Sequence, residues 1–154
     1  MDTDASKPTA HAHGSIDESE RKFSLEERKI AEILESEGKH IRALVEGEQA
    51  GRVADALVGE QPLSKEYPGI QTEFKVLYRN ATSATVRNSI NNSIRRGGQA
   101  RHIILYALGS GLSEVEGERG LARARSITRG RVDSVRIIGD GFDITSTDFA
   151  QEIG

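Results

Sequence analysis

Three residues of this 154-residue chain have the types and spacing that phosphodiester chemistry needs: Asp55, Glu73 and Lys75. The run Thr72-Glu73-Phe74-Lys75 reads as β-strand. Side chains alternate across a strand, so Glu73 and Lys75 project from one face and Phe74 from the other. Upstream, Val53-Ala54-Asp55-Ala56-Leu57 sets one carboxylate in the middle of an otherwise apolar strand. A lone charge there is costly unless a partner or a metal compensates it. If the two strands form a hairpin closed by residues 59–69, Asp55 faces Glu73. Two converging carboxylates beside an ammonium suit a divalent cation such as Mg²⁺, bound through oxygen and water ligands. The cation and Lys75 would lower the pKa of a water, orient it and offset charge growing on a phosphate. Most Glu-x-Lys pairs in strands are exposed charge pairs. The buried-looking Asp55 upstream sets this one apart.

A fourth carboxylate belongs to the element that must pack on these strands. Ser24 and Glu27 have capping-box spacing, and Leu25, Ile30, Ala31, Ile33 and Leu34 follow with helical periodicity up to Gly38. On that helix Glu27 falls between Ala31 and Leu34, inside the apolar face. Two readings stay open at this point: an inward carboxylate serving the site, or the reciprocal half of the capping box.

Strands are expected at His40–Val45, Val53–Val58, Ile70–Leu77, His102–Leu108 and Val132–Ile138, with a turn at residues 46–51 and a polar loop at 59–69. Helices are expected from Ser83 to Arg96, ended by Gly97-Gly98, and from Ser113 to about Ser126, where Ser113 and Glu116 repeat the capping-box spacing. The order helix, three strands, helix, strand, helix, strand predicts an α/β fold, a mixed β-sheet flanked by helices. Residues 1–22 are polar and predict a disordered leader or linker. Its His11 and His13 make a poor metal site. Residues 23–146 carry the folded domain and 147–154 a polar tail.

Composition narrows the chemistry. The chain has no cysteine, which removes disulfides, cysteine-ligated zinc and thiol catalysis. A net charge of −3 gives no general attraction to nucleic acid, so contact requires a local basic patch. Arg87, Arg95, Arg96 and Arg101 surround the second helix and its exit and are the candidates to hold a phosphate backbone. Arg123, Arg125, Arg129 and Arg131 form a later cluster. No apolar run is long enough to span a membrane, and no apolar signal-peptide core stands at the start. Export would need a larger parent protein or another route.

The pattern Glu27-x-x-Ile30-Ala31-x-x-Leu34, Gly38, a strand, Asp55 and Glu73-x-Lys75 resembles the PD-(D/E)XK nuclease superfamily. Residues 81–86, 97–104 and 133–141 (Ala-Thr-Ser-Ala-Thr-Val, Gly-Gly-Gln-Ala-Arg-His-Ile-Ile and Asp-Ser-Val-Arg-Ile-Ile-Gly-Asp-Gly) resemble the C-terminal tRNase domains of contact-dependent growth inhibition toxins of the CdiA type. The resemblance covers roughly residues 24–145. It implies a restriction-endonuclease-like core and a nuclease domain at 23–146. It further implies a secreted or cell-surface-delivered toxin module that cuts tRNA in the target-cell cytoplasm, uses a divalent metal and is neutralised by a cognate immunity protein. The site it implies is Glu27, Asp55, Glu73 and Lys75, with Asp55 and Glu73 on the metal and Gln99 as an accessory group. The chain departs from the pattern at Ala54, where the superfamily often has proline, and in the long connection around Glu60–Pro68. Related toxins also often read Asp-Ala-Arg-Gly where this chain has Tyr106-Ala107-Leu108-Gly109. A DNase on the same scaffold and a catalytically degenerate binding module are the competing expectations.

Overall fold

The first helix begins where the capping signal puts it. In a computed structural model describing residues 13–45, 54–95, 101–128, 130–147 and 149, α1 spans Leu25–Ser36. The Glu27 N–H donates to the Ser24 hydroxyl at 3.1 Å, and the Ser24 N–H donates to the Glu27 carboxylate at 2.9 Å. One face buries Ile30, Ala31 and Leu34. At roughly 1.5–3 kcal/mol for each large apolar side chain removed from water, that face drives α1 onto the sheet.

The remaining elements are β1 (Ser15–Asp17), β2 (His40–Ala43), β3 (Ala56–Gly59), β4 (Ile70–Val76), α2 (Ser83–Arg95), β5 (His102–Tyr106), α3 (Glu114–Thr128), β6 (Ser134–Gly139) and β7 (Phe142–Ser146). The strands form one mixed sheet whose spatial order follows the chain. Strands β2, β3 and β4 make an antiparallel meander. Strands β4, β5 and β6 run parallel, joined by α2 and α3 as crossovers. On the two edges, β1 lies parallel to β2 and β7 antiparallel to β6. The fold is therefore α/β, with helices on both faces of a mixed sheet.

Each face has its own core. Phe23, Ile30, Leu34, Ile41, Phe74 and Ile104 pack together on the α1 side. On the other side Val86, Ile90, Ile103, Leu105, Leu121 and Ile137 join α2 and α3 to the sheet. Gly120 lets the two helices approach: a Cβ there would stand 2.5 Å from Val86 Cβ and 2.8 Å from the Ser83 carbonyl oxygen. Glu116 also serves that contact. Its N–H donates to Ser113 at 3.1 Å, as the spacing predicts, but its carboxylate accepts from the Ser83 N–H at 2.9 Å.

Four features differ from the sequence expectations. Ser15–Asp17, placed in the leader by composition, pair with His40–Arg42 as an edge strand, and Phe23 is buried behind them. The Asp140-Gly141 turn folds Phe142–Ser146 back on β6 as a further strand. Phe149, in the expected polar tail, is fully buried, with Arg125 over its ring. Asp55 stands just ahead of β3, not in its middle, because its carboxylate bonds the neighbouring strand directly. Residues 46–53, covering all of the expected turn, lie outside the described residues. Among the described residues, no helix is long and apolar enough to cross a membrane.

Candidate active site

The register of the β3–β4 hairpin sets the site. Ala56 pairs with Thr72 and Leu57 with Gln71; the ladder ends there, and Asp55 and Glu73 are the next residues along the two chains. The 59–69 connection leaves that register intact despite its length. The Phe74 N–H donates to Asp55 Oδ2 at 2.8 Å, fixing the carboxylate against β4. Phe74 itself turns to the α1 side, where its ring meets Phe23 at a centroid distance of 5.8 Å. Alternation then sends Glu73 and Lys75 to the opposite face, as expected.

Glu73 is 3% exposed, and Lys75 Nζ lies 3.5 Å from its Oε2. A carboxylate so deeply buried needs compensating charge or hydrogen bonds. Lys75 is its nearby cation, and its own partial exposure leaves the ammonium reachable from solvent.

Glu27 closes the capping box with Ser24, and its side chain also hydrogen-bonds that of Asp55. Burial pushes its carboxyl pKa up. Hydrogen bonds from Arg21 and the Ser24 amide, the Arg21 charge and the Asp55 contact outweigh that, and the pKa lies below the usual carboxylate value. Two carboxylates in contact call for a proton or a cation between them. The candidate residues thus form two pairs, Glu27 with Asp55 and Glu73 with Lys75, linked through the backbone of β4.

Arg21 is the site residue that sequence reasoning missed. Its guanidinium donates to the Glu27 carboxylate at 2.9 Å and to the Asp55 carbonyl oxygen at 3.0 Å. It sits in a polar stretch with no periodicity, and no sequence signal marks it.

Asp55 and Glu73 offer oxygen ligands only, the donor type that a hard divalent cation takes. Among the described residues no three His, Cys, Asp or Glu side chains are grouped closely enough to hold a metal ion. Any such ion would rest on two carboxylates, with water and substrate completing its shell.

The expected basic patch is only partly available. Arg101 makes a two-pronged ion pair with Asp133, at 2.7 and 3.0 Å. Arg87 lies on α2 with its guanidinium against Asn88. Gln99 and Arg96 lie outside the described residues, as does the side chain of Arg95. Of the later cluster, Arg123 donates to Ser83 and Arg125 to Ser146.

A cavity of about 820 Å³ opens at the other end of the sheet, lined by Glu37, Lys39, Thr72, His102, Asp133 and Arg136 among others, and contains none of the candidate residues. Its charges are largely spent on one another. Arg136 grips Glu37 and Asp143, Arg101 holds Asp133, and Lys39 pairs with Glu60.

No family model matches the chain, and no curated protein and no solved structure was found similar to it. Its function has to be argued from its own residues.

Proposed function

We propose that the chain is a metal-dependent endonuclease of the PD-(D/E)XK kind, a toxin module that cuts tRNA and is held in check by an immunity protein. The observation that supports the nuclease reading is the Asp55 carboxylate bonded to the Phe74 N–H, between buried Glu73 and Lys75 on the same strand. The element order supports the same scaffold: α1, the β2–β4 meander, then α2 leading to β5 parallel to β4. The tRNA substrate, the toxin setting and the immunity partner rest on the sequence resemblance.

Asp55 and Glu73 would hold the divalent cation, which when bound supplies Lewis-acid activation of a water and neutralises charge on the phosphate. The protein's own groups do the rest. Phe74 N–H and Glu27 hold the Asp55 carboxylate in place. Lys75 Nζ stands over Glu73, where it orients the attacking oxygen and stabilises negative charge developing on the phosphate. The pairing with Glu73 holds the ammonium at that position.

A non-catalytic binding module is the second reading, favoured by Tyr106 and Leu108 at positions where related toxins carry Asp and Arg. Incubating the purified chain with total tRNA and with plasmid DNA, in Mg²⁺ or in EDTA, separates the readings. Mg²⁺-dependent cleavage of tRNA alone supports the proposal, and cleavage of DNA alone makes it a DNase. Intact substrates in every arm overturn it in favour of the binding module.

A further inference from the structure

Arg21 belongs to no motif, yet it touches Asp55, Glu27 on α1 and the chain leaving β2. Besides Glu27 and the Asp55 carbonyl, its guanidinium donates to the carbonyl oxygens of Leu44, at the exit of β2, and of Lys22. Its plane lies over Phe23, 5.4 Å from the ring centroid. The side chain is 24% exposed, and the Glu27 side chain it pairs with is 19% exposed. The Asp55 carbonyl also accepts the Leu44 N–H at 3.0 Å, while the Asp55 carboxylate accepts the Phe74 N–H. Asp55 is thereby clamped at both ends: the carbonyl by Arg21 and Leu44, the carboxylate by Phe74 and, through Glu27, by Arg21 again.

We propose that Arg21 is the positioning residue of the metal-binding carboxylate, fixing Asp55 through its backbone carbonyl and through Glu27 against the strand that carries Glu73. This rests on the reading that Asp55 and Glu73 hold a divalent cation. The geometry calls for arginine. A planar fork reaches a carboxylate and three carbonyls from one position, whereas the compact ammonium of lysine spans only part of that set. The stretch from Ser15 to Phe23 is then part of the catalytic unit, because the strand and the Phe23 anchor on either side of Arg21 hold it in place.

A contact group behind a metal ligand typically costs 10–100-fold in metal affinity when removed, by general experience with such sites. The test uses the full chain, Mn²⁺ as the probe in calorimetric titration, and the NMR signal of the Phe74 amide in metal-free protein. Arg21→Met and Arg21→Lys are compared with Arg28→Met. Arg28, on α1, ties the same N-terminal segment to that helix through Glu18 and pairs with Glu32 one turn on. Both Arg21 variants are expected to weaken Mn²⁺ binding by about 10–100-fold and to shift the Phe74 amide. Arg28→Met should lower Tm while changing neither. If Arg21→Met does not fold, the charge-preserving lysine variant decides. Wild-type Mn²⁺ affinity and an unmoved Phe74 amide in Arg21→Lys would overturn the proposal, leaving Arg21 a tether for the N-terminal segment. If wild-type protein binds no Mn²⁺, the metal reading fails instead. The Phe74 amide then decides the clamp by itself: a shift in Arg21→Lys sustains it, and no shift removes it.

Discussion

Asp55 accepts the backbone N–H of Phe74 at 2.8 Å, so a carboxylate ahead of one strand is anchored on the strand that carries Glu73 and Lys75. The bond has a measurable consequence. Asparagine at position 55 keeps an oxygen for the Phe74 amide, while alanine leaves that N–H without it, at a cost of about 1–3 kcal/mol. Both substitutions remove the charge, so the difference between them reports the side-chain hydrogen bonds at this position. For a domain of this size Asp55→Ala should melt roughly 3–10 °C below Asp55→Asn by calorimetry. Equal melting temperatures would mean that the anchor contributes nothing to the fold.

The α2–α3 contact behind the Glu73 face depends on Gly120. An added methyl group meets Val86 and the Ser83 carbonyl, and backbone does not move aside as a flexible side chain would. Overpacking of this kind costs about 1–3 kcal/mol, partly offset by about 1 kcal/mol of helix propensity gained over glycine. Gly120→Ala should lower the urea midpoint with the slope unchanged. A variant more stable than wild type would show that the helices can separate freely.

His102 opens the third test. Burial pushes its pKa below the ordinary histidine value; the Asp133 charge raises it and Arg101 lowers it. The fold favours the neutral ring, so the unfolded chain binds the extra proton. Its contribution to stability is fully present above about pH 6.5 and is lost as pH falls through the folded pKa. Titration of the imidazole signals should give a midpoint below that of an exposed histidine. Asp133→Asn should lower it further, since it removes the one charge that raises it. A midpoint at or above the ordinary value would contradict the buried, neutral ring.

Much of this architecture was legible in local patterns. The Ser24–Glu27 box and the Ile30, Ala31, Leu34 face mark α1, and alternation about Phe74 sorts Glu73 and Lys75 onto one side. The approach of Asp55 to β4 required only that the two strands form a hairpin. Edge strands were harder. Ser15-Ile16-Asp17 offers one apolar residue in three, too short for any period to show. Strand β7 did carry a signal: Phe142 and Ile144 alternate with polar residues after an Asp-Gly turn, and both pack on the α2–α3 core. Arg21 left no trace because its role comes from tertiary contacts. Leu44 and Asp55 reach it from 23 and 34 residues away, and Glu27 from the first turn of α1. Arg101 shows the converse, a cation that sequence offers to a phosphate and the fold gives to Asp133.

The central claim is that Asp55 and Lys75 serve one hydrolytic site. The most direct measurement is the cleavage rate of total tRNA in Mg²⁺ for wild type, Asp55→Asn and Lys75→Ala, each confirmed folded by its melting transition. Loss of a group that stabilises the reacting phosphate costs about 100-fold or more. The account predicts active wild-type protein and at least that loss in both variants, with Tm close to wild type for Asp55→Asn. Cleavage at the wild-type rate in both would contradict it.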